Sequence, residues 1–434
     1  MKKHLWLSLL IVVTSVLPVW AGEYEVLPAD PCLATYQALR APPSAGLLLK
    51  PRDRLAICGD SITEQKMYSR IMETYLTVCV PQLEVTVQQH GWGGEKAPGL
   101  QRRLANDVLR FKPTIATTCY AMNDHNYQPY QAEYGRVYRE ASLAIIRAFK
   151  EQGTRVIQGA AGPVGKMPPW VRRAQGTVDD LNHSLLEFRN IDVTLARDEH
   201  VAFADCFLPM LEGGFVAKRR YGADYMISGK DGVHPGWAGH LVMAYAFLKA
   251  MGLDGDIGTI TVDLAAGQAT ASAGHRVLSD DASSVQIESS RYPFCATGPI
   301  DQDSSVRSGM SLVPFNAELN RLMLVVKNAS AGRYRVTWGA GWKSYSAEQL
   351  ARGVNLAADF ETNPFSEAFG RVDEAVAKKQ AFETRQMKNM MHGQAGRDDM
   401  EGTVTRTEAE RDPLVAAVKA AFVPVQHTIR IEAE

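Results

Sequence analysis

The chain has 434 residues, 46% of them hydrophobic, with 47 Lys plus Arg against 48 Asp plus Glu and a formal charge of -1. That length suits two domains or one large domain with additions. The balanced charge speaks against a polyanion-binding surface or a disordered acidic tail, so nucleic acid is not an expected partner. The cysteines at 32, 58, 79, 119, 206 and 295 form no Cys-x-x-Cys pair, and neither a metal nor another cofactor is implied.

The N-terminus reads as an export signal. Lys2, Lys3 and His4 precede an apolar stretch over 5–17, and Val19-Trp20-Ala21 offers cleavage chemistry after Ala21. The stretch is shorter than the roughly 20 residues needed to span a bilayer. Residues 1–21 are therefore expected to be removed from an exported, periplasmic or extracellular protein with no stable membrane anchor, leaving 22–49 as an N-terminal extension.

From 50 to 255 short apolar runs alternate with amphipathic stretches, which predicts strands at 55–58, 85–87, 115–119, 155–157 and 201–204 and helices at 68–80, 99–111, 131–151, 178–197 and 237–251. Strands separated by helices make βαβ units and a parallel sheet covered on both faces, with chemistry gathered at strand carboxyl ends. Three such exits carry unusual residues: Gly59-Asp60-Ser61, the run from His90 to Glu95, and the run from Tyr120 to His125. Over 256–434 the pattern changes to a mixed α+β region. The segments 257–264, 285–288, 322–326 and 334–338 alternate as antiparallel strands would, and Asn363-Pro364 opens a helical pattern that runs to His392 with Gly393 as its stop. A polar link, a second helix at 408–422 and a last strand at 428–431 follow. The two helices read as a hairpin that packs its apolar seam internally or on a sheet.

Gly59-Asp60-Ser61 places a hydroxyl just past a central strand, where it can act as a nucleophile if a base takes its proton. His234 is the candidate base, and Asp231, three residues earlier, is close enough in a turn to hold the imidazole tautomer. His90, His125 and His240 are the alternatives; His240 falls inside a predicted helix and the other two lack a carboxylate at useful spacing. Asp60 reads as a cap or as a residue supporting the site from behind, rather than as a catalyst. For the oxyanion of a tetrahedral intermediate the candidate donors are the Ser61 amide, the Gly94 amide, approachable because glycine has no Cβ, and the Asn123 side chain.

These blocks resemble the SGNH hydrolases, the GDSL-like esterase and lipase superfamily. The likeness lies in Gly59-Asp60-Ser61-Ile62, Gly94 before Glu95, Met122-Asn123-Asp124 and Asp231-Gly232-Val233-His234-Pro235, in the family's order. It implies a flavodoxin-like three-layer α/β/α hydrolase domain over 50–255, with Ser61, Asp231 and His234 catalytic and Ser61, Gly94 and Asn123 as the oxyanion hole. The chain departs from the family pattern at Ala121, usually glycine, at His90-Gly91, where an asparagine commonly stands upstream, and at Ile62, usually leucine. Trp92, Met122, Tyr127 and Trp237 flank the proposed donors and are candidate cleft walls.

The resulting expectation is an exported serine esterase that removes a short acyl group, acetyl above all, from a small-molecule or polysaccharide ester. The resemblance also permits lipase, arylesterase or thioesterase activity, though export, the lack of an apolar lid helix near the blocks and the polar rim argue against a lipase. The rival class is a non-catalytic carbohydrate-binding or scaffold protein in which 256–434 does the work. No oligomeric state is read from the sequence.

Overall fold

The computed structural model describes residues 23–281 and 283–434, so the expected signal at 1–21 lies outside the described residues. Five parallel strands form the first sheet: β1 (Arg54–Gly59), β2 (Thr86–Gly91), β3 (Ile115–Cys119), β4 (Arg155–Gly159) and β5 (Ala202–Ala204), in the order β2-β1-β3-β4-β5. β1 is buried beyond its first residue and β3 throughout, as apolar runs covered on both faces must be. The covering helices are α1 (Ser61–Glu64), α2 (Tyr68–Val78), α3 (Ala97–Asp107), α4 (Ala132–Glu151), α5 (Val178–Asp198), α6 (Phe207–Tyr221) and α7 (Trp237–Ala250). The strand order is that of flavodoxin-like doubly wound sheets, as expected.

The first sheet and its helices depart from the sequence reading at β2 and at α6. β2 extends to Gly91, so His90 and Gly91 belong to the strand and the exit begins at Trp92. α6 was not foreseen, because Pro209, Gly213 and Gly214 are poor helix formers; its packing against α7 and Ile227 overrides that preference.

The C-terminal region builds two more sheets. Its strands are β6 (Asp256–Asp263), β7 (Gln268–Ala271), β8 (His275–Asp280), β9 (Ser284–Ser289), β10 (Arg321–Lys327), β11 (Arg333–Trp338), β12 (Gly341–Ser346), β13 (Val354–Asn355) and β14 (Val425–Ala433), ordered β13-β10-β6-β7 and β12-β11-β14-β9-β8. β6 and β10 run parallel, with Leu322 opposite Gly258 and Lys327 opposite Asp263. This corrects the antiparallel expectation, since alternation reveals which face a residue takes and not which way its neighbour runs. The short helices α8 (Val306–Met310), α9 (Phe315–Glu318), α10 (Ala347–Arg352) and α11 (Leu356–Asp359) fill the connections.

The helical tail begins with α12 (Ser366–Arg385), widens into a π-helical turn (Gln386–Met391), and returns through α13 (Gln394–Asp398) and α14 (Met400–Ala421). The expected polar link is therefore largely helical. Asp399 starts α14 well before 408 by accepting from the Gly402 amide at 2.9 Å.

α12 and α14 cover β2, the exposed edge of the first sheet. Val87 O accepts from Lys379 Nζ at 2.7 Å and from Arg411 Nη2 at 3.0 Å, and the Gln89 amide donates to Glu383 Oε2 at 3.1 Å. Helix side chains thus occupy the hydrogen-bonding groups that another strand would otherwise seek. Among the described residues no helix is long and apolar enough to cross a membrane, and the six cysteines form no disulfide, with all but Cys32 buried.

Candidate active site

Asp60 follows β1 and caps α1, its Oδ1 accepting from the Ile62 amide at 2.9 Å, and this turn presents Ser61 as the first residue of α1. Gly91 makes the close approach of α1 possible, because a Cβ there would lie 2.3 Å from the Glu64 amide nitrogen. At the start of α7, the turn over 231–234 brings the other two groups to the same rim. Ser61 Oγ donates to His234 Nε2 at 2.7 Å, and His234 Nδ1 donates to Asp231 Oδ2 at 2.7 Å. Asp231 Oδ1 accepts from the Val233 and His234 amides, each at 2.9 Å. Burial alone would raise the Asp231 carboxyl; the hydrogen bonds from the His234 and Val233 amides and from the His234 ring outweigh it and hold the group below the usual carboxylate range. A hydroxyl, an imidazole and an ionised carboxylate in this sequence of contacts can pass a proton from oxygen to nitrogen while the carboxylate stabilises the imidazolium.

The three alternative histidines, His90, His125 and His240, are buried. His240 Nδ1 accepts from the Tyr68 amide at 3.3 Å and its Nε2 donates to Gln65 Oε1 at 3.1 Å. Burial pushes His240 and His125 each down to about 3, and holds His90 well below its ordinary value, so all three rings are neutral.

Gly94 has φ +73° and a Cβ built on it meets nothing within 4 Å, so its backbone faces open space. Among the described residues neither the Ser61 nor the Gly94 amide donates a hydrogen bond. Asn123 Nδ2 donates to Glu95 O at 3.0 Å and, at the longer 3.4 Å, to Asp60 Oδ2. Asp124 ties this rim together, its oxygens accepting from the Ala97 and Ala121 amides at 3.0 Å each. Ala121 itself holds φ +91°, a conformation suited to glycine.

The four candidate wall residues divide. Tyr127 lies at the site, its hydroxyl donating to Asn123 Oδ1 at 3.1 Å. Met122 is 1% exposed and is core, which corrects its reading as a cleft wall. Trp92 is engaged by Arg103, Lys388 and His392, at 5.3, 5.2 and 4.9 Å from its ring, and so faces the C-terminal hairpin. Trp237 stacks with Arg70 at 5.5 Å and lines a cavity of about 520 Å³ shared with Phe294, Thr297 and Asp373. Sequence reasoning missed Trp170, which is 44% exposed with its ring 5.7 Å from His234 and 5.7 Å from Tyr127. The available signal was an aromatic after Pro168-Pro169 in the loop that leaves β4.

Comparison with known proteins adds to this geometry. Residues 57–242 match the GDSL-like lipase/acylhydrolase family model. A Geobacillus stearothermophilus acetylxylan esterase is 24% identical over 220 residues, 46% of this chain and 95% of that protein. A solved structure of a gut microbial diltiazem-metabolizing enzyme superposes with a TM-score of 0.71 at 20% identity, covering 90% of this chain and all of the other (100%), a likeness of fold that includes the C-terminal region.

Proposed function

We propose, for a chain whose residues 57–242 belong to the GDSL-like lipase/acylhydrolase family and which is a carboxylic ester hydrolase, that it is an exported serine esterase releasing short acyl groups, acetyl foremost, from carbohydrate or similarly polar esters. The observation that carries this reading is the unbroken pair of 2.7 Å hydrogen bonds from Ser61 through His234 to Asp231. Ser61 Oγ attacks the ester carbonyl carbon as its proton passes to His234 Nε2, and Asp231 holds the ring and its developing charge. The carbonyl oxygen becomes an oxyanion facing the Ser61 and Gly94 amides, with Asn123 turning one N–H from its long Asp60 contact toward it. Collapse expels the alcohol with the proton from His234, and water, activated by the same ring, frees the acid from the acyl-enzyme.

The short-acyl preference draws on the acetylxylan esterase relative and on the polar rim around Asn123, Tyr127 and Trp170. Export draws on the basic and apolar start of the chain. Hydrolysis of acetyl, octanoyl and palmitoyl esters measured side by side tests the substrate class, with acetyl expected fastest; a clear palmitoyl preference overturns it. Ser61→Ala and His234→Ala are each expected to abolish turnover with the fold intact, and normal turnover in folded Ser61→Ala removes the nucleophile assignment.

A further inference from the structure

We propose that Lys388, on the π-helical turn of the C-terminal hairpin, is a positioning residue that aims the Gly94 oxyanion donor by way of Glu64. The inference rests on the reading of Ser61 as nucleophile given above.

Glu64 lies one turn after Ser61 on α1, and its two carboxylate oxygens face different partners. Oε1 accepts from Lys388 Nζ at 2.7 Å, while Oε2 accepts from the Gly93 amide. The hairpin thus reaches the loop that carries Gly94 through this carboxylate as well as through the Trp92 ring, against which Lys388 and His392 lie. On the far side of Gly94 the chain is tethered again: the Glu95 amide donates to Trp92 O at 3.1 Å, Glu95 O accepts from Asn123 at 3.0 Å, and the Glu95 carboxylate takes Arg103 and the Tyr120 hydroxyl. Gly94, permissive at φ +73° and itself without a hydrogen bond among the described residues, is fixed only by these neighbours. Releasing the Gly93 side frees the Gly94 amide to swing.

Lys388 is the cation on the Glu64 carboxylate; the nearby Lys66 donates instead to the Glu64 main-chain oxygen. The turn that carries Lys388 is built to stay in place. His392 Nε2 pairs with Asp107 Oδ2 at 2.8 Å, Met387 Sδ accepts from Arg103 at 3.1 Å, and Met387 and Met391 are buried. A π turn inserts a residue into the helical register, is rarely adopted, and recurs at functional sites. Here it lets the two methionines face inward while Lys388 meets Glu64. A carboxylate gripped by an ammonium on one oxygen and an amide on the other is oriented by charge-assisted bonds. Without the ammonium this side chain, 24% exposed, is free to rotate toward water and drop the Gly93 amide.

The test uses the full chain and p-nitrophenyl acetate, with kcat, KM and thermal midpoint measured for Lys388→Met, Lys388→Arg, Glu64→Ala and Glu64→Ala/Lys388→Met. Losing an oxyanion donor outright costs about 10²–10³ in kcat, so a misaimed one is expected to cost about tenfold in Lys388→Met. KM is expected to stay within about twofold, because the interaction is made in the transition state. Lys388→Arg should recover most of the rate, and the double variant should be no slower than Glu64→Ala, since both substitutions break one relay. Should Lys388→Met fail to fold, Glu64→Gln, which keeps the shape and weakens the grip, is expected to show the same split. A normal kcat in folded Lys388→Met, or losses that multiply in the double variant, overturn the proposal. Ser61→Ala run alongside separates the two failures: if it is inactive while Lys388→Met is normal, only the positioning role falls, and if it is active the nucleophile reading falls.

Discussion

Replacing Lys379 by methionine tests whether the buried charge cluster is what fastens the helical hairpin to the sheet. Its ammonium donates to Val87 O at 2.7 Å and Glu383 Oε1 at 2.6 Å and lies 3.1 Å from Glu73 Oε1, with the three charged side chains only 2%, 0% and 6% exposed. Methionine keeps the apolar stem and leaves two buried carboxylates facing one another. Breaking a buried ion pair from one side costs about 3–5 kcal/mol. Arg411 still holds Glu383 at 2.8 Å and Gln380 still donates to Glu73 at 2.7 Å, which puts the expected loss near the lower end, about 3 kcal/mol. The loss must depend on pH. Burial pushes Glu73 from 4.5 up to about 7, with Lys379 drawing it down and Glu383 pushing it further up. The folded state therefore binds an extra proton between those values, and this group's contribution to stability falls as pH rises through that window. Without Lys379 the carboxyl rises further, so the deficit of the variant is greatest above pH 7 and shrinks toward about pH 5, where folded Glu73 is neutral. Urea unfolding of parent and variant at about pH 5 and about pH 8 measures both quantities. A deficit below about 1 kcal/mol at the higher pH, or one equal at the two pH values, refutes the reasoning.

Ala121→Gly relieves a buried alanine held at φ +91°; the relief of about 1–2 kcal/mol exceeds the roughly 0.4–1 kcal/mol of added unfolded-state freedom, so a modest rise in thermal midpoint is expected and a fall speaks against strain there. Gly91→Ala should cripple activity by more than about tenfold, because its Cβ would lie 2.3 Å from the Glu64 nitrogen and 2.5 Å from the Thr63 carbonyl carbon, forcing α1 and Ser61 to move. Near-parental kcat/KM in that variant would show that α1 can shift freely. Trp170→Ala removes an exposed ring beside His234 and is expected to raise KM for acetylated oligosaccharides with little change in melting; an unchanged KM rules it out as a cleft wall.

The sheet and the rim residues could be read from the chain because each rests on a local signal. Apolar runs such as 55–58 give strands, Asp60 caps the turn that presents Ser61, and Asp231 lies three residues from His234, so the contact between them is within one turn. The meeting of Ser61 with His234 was expected from the order of the family's blocks rather than from either segment alone. What failed was whatever depends on a distant partner. Trp92 reads as a cleft aromatic until Lys388 and His392, far along the chain, are placed against it. The parallel pairing of β6 with β10 has no local trace, since the same alternation serves either direction. The π turn is the sharpest case. Its sequence, Gln386 to Met391, reads as ordinary helix, and only the need to bury Met387 and Met391 while Arg103, Asp107 and Glu64 take their partners makes the wider turn worthwhile. The hairpin covers the sheet edge at Val87 and reaches Glu64 beside Ser61 with one continuous helix and turn. Its grip on the edge therefore fixes where the turn meets the candidate site, and a perturbation that loosens α12 from β2 should misplace Lys388 before it unfolds the first sheet.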